Sequence, residues 1–412
     1  ARDSSPILRH QIDAGTYTDQ ENVLRELVRN AHLSPEERAA ITKAAADIVR
    51  AIRGHTAPGM MEVFLAEYGL STDEGEALLR VPDAETIDAL IEDKIAPSDW
   101  GRHMGHSTSP LVNASTWALM LTGRVLDDDQ PGPVRHLRAA IKRLGEPVIR
   151  TAVSRAMKEM GRQFVLGENI TAAMERAKGM EKKGYTYSYD MLGEAARTED
   201  DAKRYHLSYS RAISAIAVAC TNKDSRKNPG ISVKLSALHP RYEVAQESSV
   251  MRDLVPRLRA LALLAKSAGM GLNIDAEEAD RLGLSLDVIE KVLSEPALSG
   301  WAGFGVVVQA YGPRAGVVID ALYDMAIRHD RKIMVRLVKG AYWDTEIKRA
   351  QVKGVDGFPV FTQKAATDVS YIANARKLLN MTDRIYPQFA THNAHTVAAV
   401  LHMAEDKEKF EF

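Results

Sequence analysis

The hydrophobic pattern of the chain changes character near Tyr185. Before it, apolar residues recur at three- and four-residue spacing and predict helices. After it, short continuous apolar blocks alternate with longer amphipathic stretches. The blocks predict strands at residues 186–191, 231–238, 271–275, 303–311, 332–338, 385–390 and from 410 onward. The stretches between them predict helices near 194–218, 249–268, 285–293, 315–328, 362–379 and 394–405. Strands that are apolar throughout, each followed by a helix, argue for a parallel sheet covered on both faces.

Upstream, residues 1–133 read as an N-terminal arm and helical domain, and residues 134–184 as a helical linker into the strand-and-helix region, 185–412. Ser34 as N-cap, Pro35 behind it and Glu37 three residues after the cap predict a helix start, with the apolar face following over 39–53. Further helices are predicted near 60–68, 73–80, 83–91, 115–121, 134–144, 147–161 and 170–183. His103 and His106 have a metal-ligand spacing, but no third ligand stands nearby, so they read as surface or loop histidines.

An open nucleotide-binding sheet would carry a glycine-rich first turn. Gly303-Phe-Gly305 lacks a third glycine, Gly269-Met-Gly271 runs straight into a strand, and there is no P-loop. Polar residues instead recur at or just past strand ends: Asp190, Lys234, Asp275, Gln309, Arg336 and His392. One polar position per strand, converging on one rim, predicts a (β/α)8 barrel with its site at the carboxyl ends of the strands. About seven strands are visible, so the last strand and helix are expected beyond Phe412. The run 332–348 is the most informative stretch: Arg336 set in an apolar strand, a Lys339-Gly340 turn, then Ala341-Tyr342-Trp343 opening a helix with free N–H groups. Two cations and two aromatic rings there suit a large, planar, anionic ligand.

Composition narrows the class. The chain has 412 residues, with 54 Lys and Arg against 55 Asp and Glu, so nothing basic enough for a nucleic-acid face stands out. A single cysteine, Cys220, excludes an intrachain disulfide framework and fits a reducing, cytoplasmic compartment. No apolar run is long enough to span a bilayer. The chain starts without Met or a signal sequence and ends inside an expected strand, so both ends are expected to be cut from a longer protein.

Each rim group also has a plain structural reading. Lys234 inside an apolar strand must meet a carboxylate or a ligand, because an unpaired buried ammonium is costly; Asp190 and Asp275 are the candidate partners, and a simple interior Lys–Asp pair remains open. Arg336 could equally be a buried, paired arginine. Asp275-Ala-Glu-Glu278 could hold a divalent metal, but the cations Lys234, Arg336 and Lys339 argue against one. His392 and His395 could ligate metal, yet Thr391 and Asn393 beside them suit hydrogen bonds to a ligand's polar edge. Together these groups describe a net cationic, hydrogen-bonding, aromatic-lined barrel mouth without a metal.

Four stretches in this order, 231–242, 273–282, 335–344 and 389–396, closely resemble the proline dehydrogenase domain of the bacterial proline utilization A family, and the resemblance spans about 185–412. It implies a distorted (β/α)8 barrel preceded by an all-helical arm and domain. It implies non-covalent FAD and oxidation of L-proline to Δ1-pyrroline-5-carboxylate, with electrons passed to a membrane quinone through peripheral contact with the inner face of the membrane. A homo-oligomer is compatible with it. By motif match, Asp275, Ala276, Gln309, Arg336, Val338, Lys339, Gly340, Ala341, Tyr342 and Trp343 line the cofactor, with Thr362, Lys364, Thr391, His392 and Asn393. Lys234, Asp275 and Tyr342 shape the proline pocket, and Asp190 and Glu194 match first-strand acidic positions. Arg336, Lys234, Asp275 and Tyr342 are the expected catalytic set, with Arg336 close to the flavin N5.

The family's substrate-clamping arginines are expected beyond Phe412. So is the second, NAD-dependent glutamate semialdehyde dehydrogenase activity of the bifunctional proteins. Residues 1–30 show no basic strand–helix–helix pattern, so no nucleic-acid binding is expected. Two rivals remain: a lyase using Lys234 or Lys339 as a Schiff base, and a helical scaffold with an inert barrel.

Overall fold

The computed structural model describes residues 5–55 and 165–412. The helices expected between 60 and 161, the 127–133 loop and the His103/His106 pair lie outside the described residues. The chain divides into two compact units, residues 1–53 with 177–412, and residues 54–176. Of the second unit, the described part is residues 54–55 and 165–176, the latter running into α4 (Ile170–Glu181), where Asn169 Oδ1 accepts the Ala172 N–H at 3.0 Å.

In the first unit, six strands form one sheet in sequential order, every neighbour parallel: β1 (Ser188–Asp190), β2 (Gly230–Val233), β3 (Leu272–Ile274), β4 (Phe304–Gln309), β5 (Ile333–Val338) and β6 (Ile385–Phe389). A parallel bridge from Gln388 to Glu411 continues the order. The connections run through α5 (Glu199–Ala217), α6 (Glu247–Ala268), α7 (Leu282–Leu293) and α8 (Ala315–Arg328). Two helices, α9 (Trp343–Lys353) and α10 (Lys364–Leu379), lie between β5 and β6, and α11 (Ala394–Met403) follows β6. Sequential parallel strands joined by helical crossovers make the wall of a (β/α) barrel. From β2 to β6 the apolar strand blocks are largely buried, β2 and β3 at every position, as a sheet covered on both faces requires, whereas in β1 only Tyr189 is buried.

Most element boundaries shift by one to three residues, and two move further, for identifiable reasons. The strand expected over 231–238 ends at Val233 because side chains take over from the ladder: the Lys234 N–H donates to Tyr209 Oη at 3.2 Å and the Ser236 N–H to Glu277 Oε1 at 3.0 Å. The helix expected from 194 begins at Glu199, where Thr198 and Asp201 form a reciprocal capping box.

The first unit also holds three N-terminal helices, α1 (Ser5–Ala14), α2 (Gln20–Ala31) and α3 (Pro35–His55), packed on the outside of the barrel. Helix α1 lies against α7 and α8, with Arg9 bonded to Gly283 O at 2.7 Å and ion-paired to Asp287. Helix α2 lies along α10, and Ile41 and Ala45 of α3 pack on Ala398 and Ala399 of α11. Helix α3 starts on the expected box: the Glu37 N–H donates to Ser34 Oγ at 3.2 Å and the Ser34 N–H to Glu37 Oε2 at 2.7 Å. Ser34→Ala is expected to cost about 1 kcal/mol, read as a lower urea midpoint with an unchanged slope.

Candidate active site

Register decides which polar groups share a level. Side chains on one face of a strand alternate with those on the other, so the interior of a barrel is filled in layers. Lys234 and Asp275 follow the paired residues Val233 and Ile274, which brings them side by side at the carboxyl ends of β2 and β3. The Lys234 Nζ donates to Asp190 Oδ2 and to Asp275 Oδ2, both at 3.0 Å. Burial opposes the ammonium charge, but the Asp275 and Asp190 carboxylates outweigh it and hold the Lys234 pKa well above its usual value. The expected carboxylate partners are therefore the real ones. The same nitrogen lies 3.2 Å from Asp190 Oδ1, so all three N–H donors of the ammonium are directed at the two carboxylates.

This cluster lies in a cavity of about 650 Å³ at the strand ends, within the range typical of small-molecule sites, roughly 300–1,000 Å³. Val307, Val338, Ala276, Ala341 and Ala390 give it an apolar wall. Tyr342 lines it as well, its pKa raised by burial and by Glu194, whose Oε2 accepts from the Tyr342 hydroxyl at 3.5 Å. Glu194 is held near by its loop: the Ala195 N–H donates to Ser236 Oγ at 3.1 Å and the Ala196 N–H to Ser236 O at 2.9 Å.

The far wall is built from β4, the β5 turn and the starts of α10 and α11. Gln309 donates to Glu277 O at 2.9 Å and accepts the Ala341 N–H at 3.3 Å, locking the turn. Gly340 sits at φ +137°, where a Cβ would lie 2.3 Å from the Tyr311 ring. Lys339 is ion-paired to Asp368. Lys364, Thr391, His392 and Asn393 complete the lining, with Asn393 capping α11 through the Thr396 N–H at 3.0 Å. Among the described residues Lys364 has no carboxylate at ion-pair distance.

Twelve of the fifteen residues expected around a cofactor line this cavity. Three do not. Arg336 shares a strand face with Val338 but lies one interior layer deeper. Its Nη1 donates to Ser232 Oγ at 2.9 Å, and it borders a smaller cavity of about 130 Å³ with Met334 and Gln388. Burial lowers its pKa, opposed by the charges of Asp275 and Glu411. Trp343 is partly exposed and its indole N–H donates to Phe361 O at 2.8 Å. Thr362 is exposed and bonded to Gln20. The net cationic mouth also needs amending. Lys234 sits with two carboxylates and Lys339 with Asp368, so the Lys234 cluster is net negative, the rim as a whole is close to neutral, and its positive end is Lys364.

Sequence reasoning missed Val307 and Ala390 in the wall and Asp368 as the partner of Lys339. Asp368 stands one helical turn after Lys364, the first residue of α10, a spacing that returns a side chain to the same helix face. Among the described residues no group of three or more His, Cys, Asp or Glu is arranged to hold a metal, and no helix is long and apolar enough to cross a membrane.

Comparison with known proteins agrees with the resemblance read from the motifs. A family model described as "Proline dehydrogenase" matches residues 173–412, and one described as "Proline utilization A proline dehydrogenase N-terminal domain" matches residues 7–53. Residues 60–164 match "DNA-binding domain of Proline dehydrogenase". This overturns the expectation that no segment of that kind is present: that expectation was drawn from residues 1–30, and the match lies further along, at residues 60–164. "Bifunctional protein PutA" of Salmonella typhimurium is 50% identical over 410 residues, covering 97% of this chain and 31% of that protein. "Proline dehydrogenase 1" of Bacillus subtilis is 26% identical over 255 residues, covering 61% of this chain and 72% of that protein. A crystal structure of a Bradyrhizobium japonicum proline utilization A mutant superposes with a TM-score of 0.72 at 51% identity, over 96% of this chain and 40% of that one. The chain thus spans about a third of the length of the half-identical curated relatives. With the family model covering more than half of the sequence, and the cavity built from the motifs it spans, the chain belongs to the proline dehydrogenase family.

Proposed function

We propose that the cavity is the flavin and substrate site of an FAD-dependent oxidation of L-proline to Δ1-pyrroline-5-carboxylate, the first step of proline catabolism to glutamate. Electrons leave to a membrane quinone, from a cytoplasmic protein in peripheral contact with the inner face of the membrane. The NAD-dependent glutamate semialdehyde dehydrogenase of a bifunctional protein lies outside these 412 residues. The observation that carries this reading is the Asp190–Lys234–Asp275 cluster, which shares with Tyr342 an apolar-walled cavity that Lys364 also lines, with no carboxylate at ion-pair distance from Lys364 among the described residues.

The lining fits FAD. The alanine and valine wall suits a planar ring, Gln309 and the Thr391-His392-Asn393 turn offer hydrogen bonds to a polar edge, and Lys364 at the start of α10 offers a cation to a pyrophosphate. FAD, when bound, supplies the hydride acceptor. The chain's own groups do the rest. Lys234 binds the proline carboxylate by turning one N–H away from Asp190, which it holds through both oxygens, and Asp275 keeps Oδ1 outside its bond to Lys234 as an acceptor for the amine N–H. Tyr342, tethered to Glu194, covers the substrate and excludes water. Arg336 holds a positive charge one layer below, bonded to a neutral hydroxyl and so free to stabilise negative charge developing above it.

The same geometry disfavours a Schiff-base lyase. A nucleophilic lysine needs a depressed pKa, whereas the Lys234 pKa is raised and Lys339 is ion-paired to Asp368. The test is a visible spectrum of the purified protein under anaerobic conditions. Flavin absorbance that bleaches on adding L-proline is the expected result. A colourless protein, or one trapped by borohydride with a carbonyl substrate, would reject the proposal.

A further inference from the structure

Trp343 and Thr362, both expected against the cofactor, are instead bonded outside the cavity, to Phe361 O and to Gln20. Residues 354–363 connect α9 to α10 and deliver Lys364 to the cavity rim. Along this loop the backbone groups go to distant partners. The Phe361 N–H donates to Tyr311 O at 2.7 Å, and Phe361 O accepts the Trp343 indole N–H at 2.8 Å. The Tyr311 N–H in turn donates to Lys339 O at 2.7 Å. The loop, β4 and the Lys339-Gly340 turn are therefore one hydrogen-bonded unit.

The remaining ties come from the far end of the sequence. Gln20, the first residue of α2, donates from Nε2 to Val360 O at 3.1 Å. Its Oε1 accepts the Thr362 N–H at 3.1 Å and the Thr362 hydroxyl at 3.3 Å. One amide thus closes both edges of the loop around Phe361, which is fully buried. Tyr17, three residues earlier, passes over the same loop, 3.3 Å from where a Gly357 Cβ would stand. Helix α2 then runs along α10, so the side chain that clasps the loop and the helix that follows it move as one body.

We propose that Gln20 is a positioning residue for the cofactor end of the site: the N-terminal arm clasps the 354–363 loop and so fixes Lys364 and the start of α10 in the cavity wall. The inference rests on the flavin reading of that cavity. An amide is suited to the task because it donates and accepts at once, and neither a carboxylate nor an ammonium could serve Val360 O and the Thr362 N–H together.

The test compares Gln20→Leu with Arg9→Met, which loosens α1 from α7 without touching the loop. In the full chain, Gln20→Leu is expected to raise the FAD dissociation constant roughly tenfold, the size of losing one or two ordinary hydrogen bonds. It is also expected to speed hydrogen exchange at the Thr362 amide, while KM for proline stays within about twofold. Arg9→Met is expected to leave flavin affinity unchanged. An unaltered flavin affinity in Gln20→Leu, or an equal loss in Arg9→Met, overturns the proposal. If the unaltered protein holds no flavin, the functional reading fails instead, and exchange at Thr362 still decides whether the clasp exists.

Discussion

Lys234→Met is expected to weaken L-proline binding by roughly 10- to 150-fold, the equivalent of about 1.5–3 kcal/mol for a lost hydrogen bond to a charged group, and to destabilise the fold at the same time. The second effect follows from what the ammonium leaves behind. Asp275 is mostly buried and Asp190 about half exposed, and with Lys234 gone they face each other uncompensated. Removing one partner of a buried pair costs about 3–5 kcal/mol, and the exposure of Asp190 places the loss at the lower end. The two effects separate in a double variant. Lys234→Met with Asp275→Asn removes the stranded buried charge, so it should recover much of the stability by urea denaturation while proline affinity stays low. If stability does not recover, the cluster is not the local ion pair described. If proline affinity survives Lys234→Met, the lysine does not bind the carboxylate.

This cluster also shows how far the site could be read from sequence. Lys234 in an apolar strand is a local contradiction, and burial energetics alone demand a carboxylate near it. Asp190 and Asp275 were legible as partners because each ends its own strand in a parallel array. Strand positions were legible for the same reason: blocks buried on both faces leave continuous apolar runs. What the pattern could not give was depth. Arg336 and Val338 share a face of β5, yet a two-residue step along the strand separates an interior layer from the cavity floor, and only register resolves that step. Nor could it give contacts between distant segments. Gln20 and Thr362 stand 342 positions apart, and neither carries a local anomaly of the kind that exposed Lys234. Asp368 was hidden differently: its carboxylate in a helix one turn after Lys364 looks like an ordinary surface pair until the fold turns it toward Lys339.

Gly340→Ala is expected to abolish flavin binding, and its cause can be divided. Two constraints meet at Gly340. Its φ of +137° lies where a side chain is strained, at a cost on the order of 1–3 kcal/mol. The added Cβ would also stand 2.3 Å from the Tyr311 ring, an overlap that must displace one partner, and overpacking of this kind costs roughly 1–3 kcal/mol. Tyr311 cannot yield easily, since its backbone is tied to Lys339 and Phe361 on either side. The turn is then expected to shift instead, carrying Lys339, Ala341 and Tyr342 out of the cavity lining. Trimming the ring in Gly340→Ala/Tyr311→Ala relieves the overlap and leaves the dihedral strain. The lost ring leaves a cavity in the core that costs roughly 3–5 kcal/mol, more than the relieved overlap, so thermal stability should fall below that of Gly340→Ala alone, while flavin content, read from the absorbance of the purified protein, recovers in part. Full flavin occupancy in Gly340→Ala would mean that the Lys339-Gly340 turn tolerates a side chain, and that the wall it forms does not need the geometry seen here to hold its ligand.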